Sequence, residues 1–256
     1  MIQLHVSKAL FAKLPLDNQG ALPADAPTDY LNESGLLPGG LDNPLSGWHA
    51  HLFTLQRRQC VLWAHDTTRF ALFMPCLTKP DFAQLQWLFV DSLMNTLIKA
   101  GANEQQLDTA HQLLRPLRID SVCNRSVQAT ITRMKGDIEH TLNFNQAAVT
   151  ELSAYRTGAW LADRPCNVKG KKECVWPKEA MLQLLDCVAE QSLSNSLIAQ
   201  SAPPLQSSKQ MAIKAPSKKS RAGSQSGGAD STTKTELIAE GKVVSLADYR
   251  KRQAKD

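Results

Sequence analysis

Three histidines fall within one short stretch of the chain. Two stand in Trp48-His49-Ala50-His51, and the third follows a basic turn in Trp63-Ala64-His65. Imidazole exchanges protons near neutral pH and also ligates metals. His49 and His51 lie two apart on a β-prone run, so their side chains share a face. The face of His65 depends on the turn. A three-residue loop at Arg57–Gln59 pairs His51 with His65 on one face. A two-residue loop at Arg57-Arg58 pairs Ala50 with His65 and sends it to the other. Three imidazoles on one face could hold zinc, with an open position for catalysis. No acidic residue or cysteine stands at a ligand spacing nearby. The expectation is therefore histidines hydrogen-bonded in or beside the core, with no metal and no cofactor.

A second constellation is Asn124-Arg125-Ser126. It offers the free N–H groups of a helix start beside a guanidinium, a combination that suits a phosphate or a carboxylate. The alternative is an ordinary cap plus an arginine paired with a surface carboxylate. These three residues are the anion-binding candidates of the folded part. Cys166 and Cys174 are separated by seven residues, wider than a zinc loop spaces its paired cysteines. The chain contains no Gly-rich phosphate loop, no GxSxG, no HExxH and no CxxC.

The third constellation is terminal. Val244-Ser245-Leu246-Ala247-Asp248-Tyr249 reads as a helix start, with Ser245 as N-cap and Asp248 as the acid of a capping box. Val244 and Tyr249 take the positions of a hydrophobic staple, and Leu246 adds an apolar anchor. Arg250, Lys251 and Arg252 follow. A capped, partly apolar helix after a linker has the form of a partner-docking peptide; it could equally pack on its own domain.

The elements that must position these groups follow from composition. The chain has 256 residues with 29 Lys+Arg and 24 Asp+Glu. Residues 200–256 hold 11 basic and 5 acidic residues, leaving 18 and 19 for residues 1–199. The basic excess belongs to a polar tail whose Ser, Lys, Gly, Pro and Ala cannot bury a core. Lys218, Lys219 and Arg221 are its central cations, suited to phosphates of nucleic acid without sequence readout. The expected organisation is one α+β domain over 1–199, a disordered linker over 200–240 and a short capped helix over 241–256. Residues 17–47 carry five Gly and four Pro and read as a long loop.

Within the domain, residues 2–6 alternate as a strand, and Ser7 caps a short helix. WHAHLFTL, QCVLWAH and RFALFMPCL are three β-prone runs with short turns, which predicts an antiparallel meander. Thr78 with Asp81 opens a helix running to Gly101, with Phe82, Leu85, Phe89, Leu93 and Leu97 on one face. Asn103 with Gln106 starts the next, and Asn124 or Ser126 a third. Trp160 to Cys166 reads as extended, and Pro177 begins a last helix. The fold class is thus α+β, a meander packed against amphipathic helices.

MIQLHVSKAL, WHAHLFTLQRRQCVLWAHDTTRFALFMP and Asn124-Arg125-Ser126-Val127 together resemble an uncharacterised bacterial family, domain of unknown function 6933, over about residues 1–160. The family continues its last motif with small and acidic residues, where Gln128, Ala129 and Thr130 stand here. The resemblance implies an α+β domain in a bacterial, intracellular setting and supplies no activity. No secretory signal or bilayer-spanning apolar run is visible, so the expected compartment is the cytoplasm, with six reduced cysteines and no membrane partner. The leading functional reading is a non-enzymatic binding or regulatory module with a protein partner, its basic tail adding a tethered contact to that partner or to nucleic acid. The rival is a small hydrolase or transferase using His49, His51 or His65 as base and Arg125 as anion holder. It requires those residues to converge.

Overall fold

The computed structural model describes residues 1–23, 43–168 and 173–201. The tail residues singled out above, from Lys218 to Arg252, lie outside the described residues. So does most of the long loop.

Ile2–Val6 forms β1, with Ile2, Leu4 and Val6 buried. Ser7 caps α1, Lys8–Phe11, accepting the Leu10 N–H. Then come β2 (Trp48–Leu55), β3 (Arg58–His65) and β4 (Ala71–Leu77). The β2–β3 turn is Gln56-Arg57, both at positive φ (43° and 67°), as a tight hairpin requires. Leu55 therefore faces Arg58 and Trp48 faces His65.

The sheet is mixed rather than a plain antiparallel meander. β2, β3 and β4 do run antiparallel, but β1 joins the other edge of β2 in parallel and β5 (Leu117–Asp120) joins β1 in parallel. The order is β4-β3-β2-β1-β5. β1 itself lies parallel to β2, and its other hydrogen-bonding edge is filled by the four residues after Pro116. Gly20 extends this edge, its carbonyl accepting the Ile119 N–H at 3.0 Å.

The helix expected over 79–100 is broken at Gln84 (φ −100°, ψ 20°) into α2 (Lys79–Ala83) and α3 (Leu85–Lys99). The Asp81 carboxylate accepts from the Thr78 N–H and hydroxyl. α4 (Glu104–Leu113) begins with reciprocal Asn103–Gln106 bonds of 2.8 and 2.9 Å. α5 is Arg125–Asn145, and α6 is Ala154–Ala162. The extended reading of 160–166 is thus corrected: Ser153 caps a helix through Ala162, and only Cys166 makes a bridge, to Val175. α7 is Pro177–Ser201.

The two sheet faces differ. One packs Leu4, Trp48, Trp63 and Leu72 on Phe89, Leu93 and Leu97 of α3, with Met181 and Leu185 of α7. The other packs Leu62, Ala64 and Phe73 on Val127, Ile131, Met134 and Ile138 of α5. On this second face α5 covers β2 and β3. The side chains of β1 and β5 there are polar: Gln3, His5, Arg118 and Asp120.

Candidate functional site

The polar row is positioned by strand register. His5 of β1 pairs across to His49 of β2 and to Asp120 of β5. Paired residues point to the same face, so Asp120, His5 and His49 stand side by side. His5 Nδ1 lies 2.6 Å from Asp120 Oδ1, and His49 Nδ1 lies 2.6 Å from Asp66 Oδ1. The two rings meet with centroids 4.8 Å apart, tilted by 47°. Two carboxylate–imidazole pairs therefore abut.

Their surroundings differ. The Asn124 backbone N–H donates to His49 Nε2 at 2.9 Å. A backbone amide can only donate, so Nε2 is the acceptor and Nδ1 carries the proton given to Asp66. His49 is buried and fully engaged. His5 is engaged at Nδ1 alone; among the described residues none is bonded to its Nε2. Its ring is 17% exposed. Asp120 is in turn held by the Gln3 side-chain amide at 2.7 Å and the Val122 N–H at 2.9 Å. A histidine fixed through one nitrogen by an anchored carboxylate, with the other nitrogen free, has the geometry of a general base.

Asp66 is positioned by the turn between β3 and β4. Its N–H donates to the Gly47 carbonyl at 2.8 Å. Gly47 has φ +87°, and a Cβ there would meet Asp66 Oδ2 at 3.2 Å, so only glycine lets this loop lie against the carboxylate. Arg69 closes the same turn in the left-handed region (φ 63°) with its side chain buried. Its guanidinium donates to the Asp66 carbonyl and, at 3.2 Å, to Ser126 Oγ. Burial lowers its pKa and the Asp66 charge opposes that shift.

The expected constellations are thus redistributed. His49 and Asn124 are brought into contact, with Ser126 reached from Arg69. Arg125 is exposed in the first turn of α5. His51 is half-buried on the same face as His49, and burial, then the neighbouring His49, lowers its pKa. His65 lies on the opposite face against Trp48, its ring bonded to Thr68 Oγ1 and the Ser46 carbonyl. Burial pushes it down to about 4. The expected face of His49, His51 and His65 does not form, because the turn uses Gln56-Arg57 and His65 pairs with Trp48. Among the described residues no group of three or more His, Cys, Asp or Glu is arranged to hold a metal.

Sequence reading missed His5, Asp120, Asp66 and Arg69. The alternation in Ile2-Gln3-Leu4-His5-Val6 did carry a signal, since it places Gln3 and His5 together on the polar side. Beside the row runs an open depression of about 510 Å³, lined by Gln3, Phe11, Gly20, Arg118 and Asp120. It lies beside Gln3 of β1 and the carboxyl end of β5, on the side of Gly20. The chain leaves β1 and β5 on opposite faces, through α1 and α5, the arrangement of a topological switch point in an α/β sheet.

No helix among the described residues is long and apolar enough to cross a membrane. No curated protein and no solved structure matches the chain. Residues 3–180, from β1 into the first turn of α7, match the family model described as Domain of unknown function (DUF6933), and the chain belongs to that family.

Proposed function

We propose that the polar row is an acid–base centre in which His5 exchanges a proton at Nε2. The observation that carries this reading is the contrast between two adjacent imidazoles. His49 is bonded at both nitrogens and His5 at one, with an anchored carboxylate behind it. Asp120 orients the ring and stabilises its charged form, and Arg118 and Arg125 supply positive charge for an anionic substrate. The reaction class is hydrolysis or group transfer assisted by proton removal. His49 takes a positioning role, linking β2 to the start of α5.

The test is turnover of p-nitrophenyl phosphate and bis-p-nitrophenyl phosphate by the wild type, His5→Gln and Asp120→Asn. General-base assistance contributes roughly 10²–10⁴-fold, so His5→Gln is expected to lose at least about a hundredfold. Asp120→Asn should lose less while keeping substrate affinity. Equal turnover by all three proteins, or none by any, would remove the basis of the reading.

A binding reading rests on a different observation, the charge division of the sequence. The excess of 11 basic over 5 acidic residues in 200–256 supports a tethered contact. There Lys218, Lys219, Arg221, Arg250, Lys251 and Arg252 would meet nucleic acid, and Val244, Leu246 and Tyr249 a protein groove. A pull-down from lysate with and without nuclease separates these. A protein retained after nuclease supports docking, and loss of all captured material supports a nucleic-acid tether.

A further inference from the structure

A cavity of about 260 Å³ opens between α5, the end of α6 and Cys166, and shares no residue with the polar row. Thr130, Arg133, Met134 and Asp137 face it from α5 at spacings of three, four and seven, which is one side of a helix. Its floor is apolar: Met134 and Leu161 are buried, and so is Cys166, fixed by backbone bonds of 2.8 and 2.9 Å to Val175.

The rim is cationic. Arg164 is held in place, its guanidinium 5.2 Å from the centre of the Trp160 ring and 3.2 Å from Asp137. Asp137 is the single carboxylate lining the cavity, and that pairing occupies it. Arg133 is exposed and forms no ion pair among the described residues. Behind the wall stands Arg69, bonded to Ser126 Oγ one turn before Thr130, and its buried Nε has no partner among the described residues. Burial pushes the Cys166 thiol up, and Asp137 adds to the rise, against the opposing charges of Arg133, Arg69 and Arg164. Cys166 is therefore a slow-reacting thiol on the cavity floor rather than a catalytic nucleophile.

We propose that this cavity binds a small phosphomonoester, its phosphate on Arg133 and Arg164 and its apolar body on Met134, Leu161 and Cys166. Paired guanidinia suit an oxyanion carrying more than one charge, and Arg69 adds a fixed positive field from behind. The volume restricts the ligand to about the size of one ring plus its phosphate.

The test uses the full chain with phenyl phosphate as probe and phenol as its neutral counterpart. The readout is the rate at which N-ethylmaleimide alkylates Cys166, mapped by peptide mass spectrometry. Cys60, buried in the sheet, serves as reference. The basic tail contains no cysteine, so phosphate gathered there leaves the readout unmoved. At about ten times its Kd, phenyl phosphate should slow Cys166 about tenfold and leave Cys60 unchanged. Phenol should have no such effect, and Arg133→Gln, an exposed substitution, should abolish the protection. Equal protection by phenol, protection that survives Arg133→Gln, or no protection at all would each overturn the proposal.

Discussion

At the scale of single residues, the six histidines are sorted by what their ring nitrogens touch. Diethyl pyrocarbonate attacks an unprotonated imidazole nitrogen that solvent can reach. His49 has one nitrogen given to Asp66 and the other accepting from Asn124, while His65 is enclosed between Thr68 and Ser46. His5 Nε2 has no bonded partner among the described residues. Peptide mapping after brief carbethoxylation should find His5 modified at least about ten times faster than His49 or His65, because reaction of the latter two requires local opening. Comparable rates at His5 and His49 would mean that the second imidazole pair is not closed by α5. His65 also makes a pH-dependent contribution. Its folded value of about 4 lies below its ordinary 6.5. The unfolded chain therefore takes up the proton first as pH falls. Stability is complete above about pH 6.5, declines between 6.5 and 4, and levels off below. At 1.36 kcal/mol per pH unit, the loss from this group is about 3 kcal/mol. Urea midpoints of His65→Gln, less stable than wild type at pH 7, should show a shallower fall over that window; an unchanged fall would assign the acid sensitivity elsewhere.

At the scale of elements, α5 joins the core to the polar row, and its two roles separate experimentally. The Asn124 side chain caps the helix by accepting the Ser126 N–H at 3.0 Å, whereas its backbone N–H holds His49. Asn124→Ala should therefore cost about 1 kcal/mol in thermal or urea unfolding. The backbone bond survives, so carbethoxylation of His49 should stay slow; fast modification would show that the cap, not the amide, secures the ring. Which elements were readable from sequence follows from the range of the forces that make them. Ser7, Asn103 and Asn124 act within four residues, so helix starts were visible, as were the hairpin strands joined by short turns. β5 was not, because four residues after a proline gain their partner only from β1, more than a hundred residues earlier. β1 already makes the sheet mixed by lying parallel to β2, and β5 extends that parallel edge. The acid–base row was hidden for the same reason. His5 meets Asp120 across 115 positions and His49 meets Asn124 across 75, and no local pattern encodes such pairings. Only the polar parity of Gln3 and His5 hinted at a second wet face. The Trp160–Cys166 segment misled in the other direction, since Ser153 starts a helix about two turns before its apolar residues.

At the scale of the whole molecule, the chain divides its charge more sharply than its length. Residues 1–199 carry 18 basic and 19 acidic groups, and residues 200–256 carry 11 and 5. Residues 1–199 are near neutral overall, so an electrostatic contact with nucleic acid is expected through the excess positive charge of residues 200–256. That expectation is quantitative. Each phosphate neutralised releases a condensed counterion, and log K falls with log salt by about 0.7 to 0.9 per contact. Replacing Lys218, Lys219 and Arg221 with Ser removes up to three such contacts. For the full chain on a single- or double-stranded oligonucleotide, the slope should become shallower by about 2 to 3. The effect should be uniform across sequences, because Tyr249 is the tail's single aromatic residue and offers little base stacking. Binding with an unchanged slope would place the contact on the folded part, where Arg57, Arg58, Arg118 and Arg125 are the exposed arginines nearest the sheet and the start of α5. Binding indifferent to salt would remove the electrostatic account and leave Val244, Leu246 and Tyr249, with a protein partner, as the reason for the tail.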